Sequence, residues 1–439
     1  MDREDVLRFV EDNDVKFIRL QFTDISGIMK NIAINDGHLE EAFDGVLFDG
    51  FSIEGFARME ESDMLLVPDL DTLNIIPWRP QQGKVARFIS DVYLRSGDPF
   101  EGDPRNILKN IVKKAAALGL TFNVEPECEF FLFHTDDEGL PTTKTHDTAS
   151  YFDLAPIDLG ENARREMCLS LENMGFLVEA SHHEAAGGQH EIDFKYDEAL
   201  KTADNIGTFK MVVKIIAQKH GLHATFMPKP LRDAAGSGMH INMSLLKHGE
   251  DAFCNKADQL GLSRDAYYFM GGIMKHIKGM SAVLNPLVNS YKRLTPGNEA
   301  PSYITWARRS RSPLIRIPSK TGGATRIELL SPDAACNPYF ALALLLAAGL
   351  EGIEQKTTPP PELTKNILQM TEQEINDAGI ERLPKSLGEA LEAYEADPLI
   401  KETLGEHAFI NYLKVKRGEW ADYSREVHNW ELDRYLSIY

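Results

Sequence analysis

Cysteine is scarce and scattered. The chain has four, Cys128, Cys168, Cys254 and Cys336, with no CxxC pair, which excludes a cysteine-built zinc site and a disulfide framework. Long apolar runs are missing as well. The longest, "YFALALLLAAGL" at 339–350, is too short to span a bilayer and follows a helix start at Asn337-Pro338, so it reads as a buried helix. Positive charge is in deficit: a net charge of −20 argues against a general nucleic-acid or membrane-surface binder, which would need a basic face. The opening "MDREDVLRFV" lacks the signal-peptide order of charge and apolar core, and the chain is expected to be cytoplasmic. There is no internal repeat, no low-complexity tract, no GxxxxGK[ST] P-loop and no kinase HRD or DFG set.

What is present suits a globular enzyme. Hydrophobic content of 43% and charged content of 26% are ordinary, and 439 residues suggest two domains. Residues 15–35 predict two strands around a turn, "VKFIRLQFTD", "ISG", "IMKNIAI", and "KVARFISDVYL" predicts another. The Gly-, Pro- and Asp-rich "RSGDPFEGDP" at 95–104 is the expected boundary, giving an N-terminal domain over 1–103 and a second over 104–439. Asp103-Pro104 starts an amphipathic helix that Gly119 ends. Further helices are expected near 161–174, 203–219 and 264–279, with a loop at "KTTPPPEL" and a mostly helical C-terminal part.

The strands between 120 and 335 are unusual. In "NVEPECEFFLF" (123–133), alternation places Glu125, Glu127 and Glu129 on one face with Phe131 and Phe133, and Val124, Cys128, Phe130 and Leu132 on the other. Glu184 and Glu191 flank a small-residue turn in "SHHEAAGGQHEIDF". His240, Asn242 and Ser244 share a face of "GSGMHINMS", and Arg326, Glu328 and Leu330 share one in "TRIELL". Any one of these alone reads as a solvated outer face. Four together, backed by apolar side chains, point to a site where divalent cations offset the carboxylates, and oxygen ligands with one imidazole suit Mg²⁺ or Mn²⁺. A cationic complement, "SYKRLTPGNEAPSYITWARRSRSPLIRIP", follows at 290–318. Guanidinium forks suit carboxylates and phosphates.

At these residues the sequence resembles class I glutamine synthetase. "FDGFSIEGF", "EPECEFFLF", "EASHHEAAGGQHEIDF", "FMPKP", "GSGMHINMS", "NSYKRLTPGNEAP", "RSPLIRIP", "RIELLSPDAACNPY" and "EVHNWELDRYLSIY" occur in that order over essentially the whole chain. The resemblance implies an α+β fold, with a β-grasp-like N-terminal domain and a catalytic domain whose curved antiparallel sheet, flanked by helices, forms the active site. It implies two stacked hexameric rings, a dodecamer with sites shared between neighbours, and ATP-dependent ligation of ammonia to L-glutamate through γ-glutamyl phosphate. Two to three Mg²⁺ or Mn²⁺ ions per site are implied. By motif, Glu129, Glu184 and Glu191 hold the first metal, and Glu127, His240 and Glu328 the second. Glu179 and Ser244 contact the nucleotide, with Arg311 and Arg316 beside it. Gly236, Arg293 and Arg311 bind glutamate, and Arg316 and Arg326 stabilise phosphates. Asp49 of the adjacent subunit takes the proton of ammonium, and Glu299 closes a flap over the site.

Glu125 is expected to be a paired carboxylate outside the metal set. "EGFARMEESDM" resembles the subgroup without adenylylation, in which Arg58 is tied to glutamine feedback; small regulatory proteins or metabolite effectors are further expected partners. Three positions depart from the family pattern: Ala235 stands where the family has Asn, Leu330 where it has Arg, and Phe51 where it has Ser. They keep two alternatives open, a related ligase that joins glutamate to an organic amine, and a low-activity homologue acting as sensor or scaffold.

Overall fold

The computed structural model describes residues 1–56, 63–295, 300–308, 313–318 and 325–439. Two sheets organise the chain. The first comprises β1 (Val15–Thr23), β2 (Met29–Asn35), β3 (Val46–Asp49), β4 (Asp63–Pro68), β5 (Asn74–Ile75) and β6 (Lys84–Leu94). Its order is β2-β1-β6-β4-β3, with β5 on β6, and only β1 and β6 run parallel among these pairs. The β1–β2 turn is set by Asp24, whose carboxylate accepts the backbone N–H groups of Ser26 (3.0 Å) and Ile28 (2.9 Å). Gly27 has φ +83°, and a Cβ there would lie 2.8 Å from the Asn337 Cα, so only glycine serves both demands.

The second sheet carries the polar strands. It contains β7 (Leu120–Thr135), β8 (Pro141–Thr145), β9 (Val178–His183), β10 (Gln189–Phe194), β11 (Asp197–Glu198), β12 (Leu222–Thr225), β13 (Met239–Lys247), β14 (Glu250–Asp251), β15 (Trp306–Ala307), β16 (Ile315–Arg316) and β17 (Ile327–Leu329). The main path is β15-β16-β17-β13-β7-β10-β9. Of the pairs along it, β15–β16 alone is parallel. Helices Pro104–Ala117, Ala199–Lys219, Arg264–Leu284 and Pro338–Gln355 join the back of this sheet in one core with the first sheet.

Alternation explains the arrangement. Val124, Cys128, Phe130 and Leu132 are fully buried in that core, and the Phe130 ring meets Phe209 of the helix Ala199–Lys219 at 6.3 Å between centroids. The glutamates therefore face the other way. Expected helices are present with shifted ends: the one expected at 203–219 begins at Ala199, and the one at 264–279 runs on to Leu284. The 339–350 run lies inside the buried helix Pro338–Gln355, capped by Asn337. No helix among the described residues is long and apolar enough to cross a membrane.

Candidate active site

Register brings the polar faces together. Across β7 and β13, Glu127 opposes His240 and Glu125 opposes Asn242. Across β7 and β10, Glu129 opposes Glu191 and Glu127 opposes Asp193. Glu328 of β17 sits between Asn242 and Arg316, and His182 of β9 opposes Glu191. These pairings line one cavity of about 120 Å³, whose wall includes Glu127, Glu129, Glu184, Glu191, His240 and Glu328.

Two ligand clusters form there. The first is Glu127, His240 and Glu328, each offering one atom within 4.8 Å of the others. His240 Nδ1 lies 3.2 Å from Glu127 Oε2 and 3.9 Å from Glu328 Oε1, and the Asn242 amide donates to Glu127 Oε1 at 2.8 Å. Burial raises the Glu127 carboxyl, but His240 and Asn242 outweigh it and hold it at about 2. The second cluster is His182, Glu184 and Glu191, with His182 Nε2 2.9 Å from Glu184 Oε1 and 4.0 Å from Glu191 Oε2. Glu129, expected in this set, is fully engaged elsewhere on one oxygen: its Oε2 accepts Gly238 N–H (2.9 Å) and the Gln189 amide (3.1 Å). His182, which sequence reasoning left out, stands in the cluster, and Glu129 lines the same cavity beside it.

The electrostatics call for a cation. Burial, followed by the charges of Glu129 and Asp193, drives the Glu191 carboxyl far above the ordinary carboxylate range. A divalent ion among these oxygens would restore the anionic form, and carboxylates with an occasional imidazole are the donor set that hard cations take. The residues present fit such an ion. A third group, Asp147, Asp158, His183 and His190, is buried beneath the β9–β10 turn. There the Arg164 guanidinium already donates to Asp158 (2.8 Å) and His190 Nδ1 (2.9 Å), and Asp147 accepts Gly188 N–H at 2.8 Å. With its positive charge built in, that group anchors the turn rather than inviting a metal.

The arginines divide by partner. Arg316 spans Glu328 with both Nε and Nη2, the latter at 2.8 Å, at the cavity wall. Arg326 pairs with Glu125, which accounts for the carboxylate left outside the metal set. Arg293 lines the cavity from a buried position and donates to the carbonyls of Ser331 (2.7 Å), Pro332 (3.2 Å) and Leu330 (3.0 Å), clamping the segment that follows β17. Gly236 and Gly238 admit it: a Cβ at Gly238 would overlap the Arg293 guanidinium.

Leu330 lines the cavity, as its strand parity predicts, together with Ala235. Ala235 also packs on the stacked pair Phe131 and Phe133, 5.6 Å apart, so the acidic face ends in a small apolar wall. Ser244 is buried opposite Asn123 and Glu179 is exposed at the edge strand; neither lines the cavity. Asp49 is exposed at the end of β3, its carboxylate accepting Phe51 N–H (2.9 Å) and the Ser52 hydroxyl (2.7 Å), and it too lies outside this chain's own cavity wall. Arg58, Glu299 and Arg311 lie outside the described residues.

Comparison with known proteins places this architecture. The family model "Glutamine synthetase, beta-Grasp domain" matches residues 14–95, and "Glutamine synthetase, catalytic domain" matches 101–435. A glutamine synthetase of Clostridium saccharobutylicum is 59% identical over 100% of this chain and 99% of the relative. One of Thermus thermophilus is 55% identical, with 100% and 99% covered. Among solved structures, a GmaS–ADP complex superposes with a TM-score of 0.90 at 34% identity, covering 99% of each chain. A glutamine synthetase of Plasmodium falciparum does so with 0.88 at 25%, again over 99% of each.

Proposed function

The chain belongs to the glutamine synthetase family, and from that premise we infer how its cavity performs the family's reaction. The protein is an ATP-dependent glutamate–ammonia ligase. ATP phosphorylates the γ-carboxylate of L-glutamate, and ammonia then displaces phosphate to give L-glutamine. The observation that carries the site assignment is the pair of ligand clusters flanking Glu129 in one cavity. Glu127, His240 and Glu328 would hold one Mg²⁺ or Mn²⁺, and Glu184 and Glu191, with Glu129 and His182 at hand, another. When bound, these ions supply positive charge to the phosphates and the γ-carboxylate.

The chain's own groups do the rest. Arg316, fixed by Glu328, and Arg326, fixed by Glu125, supply cationic forks beside the transferring phosphoryl group. Gly236, Arg293 and Arg311 form the glutamate pocket, Glu179 and Ser244 the nucleotide side, and Glu299 the flap that keeps water from the acyl phosphate. Asp49 acts on ammonium from a neighbouring subunit, which is why its exposure at a strand end suits the role. The reading makes the protein a homo-oligomer, a dodecamer of two rings, and large exposed apolar side chains such as Phe152, Leu154, Trp430 and Leu436 supply surface for it. It places the enzyme in the cytoplasm, where four free cysteines stay reduced, and divides the chain at 103/104. The decisive assay is phosphate release from ATP with glutamate and ammonium together and with each omitted. Turnover that depends on both supports the reading, and turnover that needs an organic amine instead of ammonium overturns it.

Two predictions follow from the cavity wall. His182→Ala should weaken Mn²⁺ binding about 10–100-fold, as loss of a group that ligates or orients ligands does, read by electron paramagnetic resonance titration; unchanged affinity would return His182 to a packing role. Leu330→Arg tests whether the missing guanidinium matters. Arg316 already stands at this cavity, so an added cation should leave the saturated rate unchanged or lower it. A rise of tenfold, about 1.4 kcal/mol of barrier, would mean that the natural site lacks a group it needs.

A further inference from the structure

A second cavity, of about 590 Å³, opens between the β1–β2 hairpin and the helix Ala199–Lys219 and is closed by Ala334, Ala335 and Pro338. It lies behind the catalytic sheet, because that helix packs on the Phe130 face of β7 and not on the glutamate face. The volume is that of a small-molecule site.

Its wall has one sign of charge. Arg19, Lys30, Lys210, Lys214 and Lys416 line it, and among the described residues no aspartate or glutamate does, in a chain of net charge −20. Three of these cations are engaged. Lys30 lies 3.3 Å from Asp24, Lys416 lies 2.8 Å from Glu419, and Lys210 donates to the carbonyls of Ala334 (2.9 Å) and Cys336 (3.4 Å). Arg19 and Lys214 have no acidic partner among the described residues, and Lys214 Nζ sits 5.9 Å from the Phe226 ring centroid. Between the cations the wall is apolar, from Met29, Met211 and Ile215.

Gln21 adds an independent sign. It is 3% exposed and lines the cavity, its amide nitrogen meets only the Met211 sulfur at 3.3 Å, and its Oε1 has no hydrogen-bond partner. A buried amide oxygen left without a donor is costly, and natural structures rarely tolerate one.

We propose that this cavity binds a small organic anion: a carboxylate or phosphate held by Arg19 and Lys214, an apolar body against Met29, Met211 and Ile215, and a hydroxyl or amine donating to Gln21. The occupant touches the hairpin of the first sheet and the segment 334–338 that follows β17, so it bridges the two sheets. A second copy of the chain fits less well, because a polar orphan this buried asks for a ligand small enough to enter.

The probe is 8-anilinonaphthalene-1-sulfonate, an anion with an apolar body, titrated by fluorescence into the intact enzyme with MgADP saturating. The expected result is saturable binding at one site per chain, weakened about tenfold or more by Lys214→Glu through loss of the charge-assisted contact. Gly207→Leu should abolish it. A Cβ at Gly207 would lie 3.0 Å from the flexible end of Met29, so the new side chain enters the cavity, and leucine is the better helix former. Both variants should keep wild-type glutamine synthesis, since neither residue touches the catalytic cavity. The dye is read without turnover, so the outcome is independent of the ligase assay. Equal dye affinity in wild type and both variants overturns the proposal. So does a change of oligomeric state in Lys214→Glu by light scattering, which would mean that another copy covers the groove.

Discussion

Glu328→Ala is expected to remove ATP turnover almost completely and leave the fold standing. Glu328 is fully buried on β17, between β13 and β16. Its carboxylate serves two partners, the Arg316 guanidinium and the His240–Glu127 cluster. Removing one member of a buried pair is damaging when the survivor cannot reach water. Here the survivor can, because the Arg316 side chain is 30% exposed. The backbone ladder of β17 needs no side chain. On the proposed reading, what is lost is one ligand of the divalent ion, together with the group that orients Arg316. A loss of about 4 kcal/mol of transition-state stabilisation, on the order of a thousandfold in rate, is the expected scale. Glu328→Gln keeps the volume and removes the charge, and it should be nearly as inactive if charge is what matters. The measurement is phosphate release at saturating substrates with Mg²⁺ or Mn²⁺, beside thermal unfolding of each variant. Near-normal turnover in a folded Glu328→Ala protein would remove the central inference about this site.

Strand parity made most of this site legible. Alternation alone separates Glu125, Glu127 and Glu129 from Val124, Cys128 and Phe130, and the observed register pairs them with the other polar strands. Leu330 falls on the cavity side for the same reason. His182 was missed because two histidines stand side by side, so one faces the cavity and the other the core whichever way the strand runs. Only pairing with Glu191 decides which. The signal available was parity counted back from Glu184, two residues on. The clamp by Arg293 on three backbone carbonyls leaves no trace in sequence, since any carbonyl can accept it. The second cavity is built from six segments far apart in the chain, and periodicity within one element carries no information about such a meeting.

Arg105→Ala should be the most destabilising single change away from the active site. The Asp103-Pro104 signal marked a helix start, but not that the next residue joins the two sheets. Arg105 is 3% exposed. Its Nε and Nη2 grip Asp204 of the helix Ala199–Lys219 at 2.9 and 2.8 Å, while Nη1 reaches Asp91 at 2.7 Å and Nη2 also reaches Asp69 at 2.8 Å. Asp69 and Asp91 belong to the region of the first sheet, so one guanidinium binds three carboxylates across the junction. Tyr339 donates to Asp204 as well, at 2.7 Å. Without Arg105, among the described residues only Lys109 remains near Asp69 and Asp91, and the buried Asp204 keeps the Tyr339 hydroxyl and the charge of Arg87 but loses its bidentate partner. Breaking a buried ionic group in this way costs about 3–5 kcal/mol. The pH dependence has a definite sign. Burial opposes ionisation of Asp69, but the charge and hydrogen bond of Arg105 win and hold its carboxyl below the ordinary range. A carboxyl held low contributes stability that is present above its unfolded value, about 3.9, and is lost as pH falls through the folded value. The gap in unfolding temperature between wild type and Arg105→Ala should therefore be widest near neutral pH and close below about pH 4. A gap that stays constant down to that acidity would assign the loss to packing of the arginine stem and not to the ionic junction.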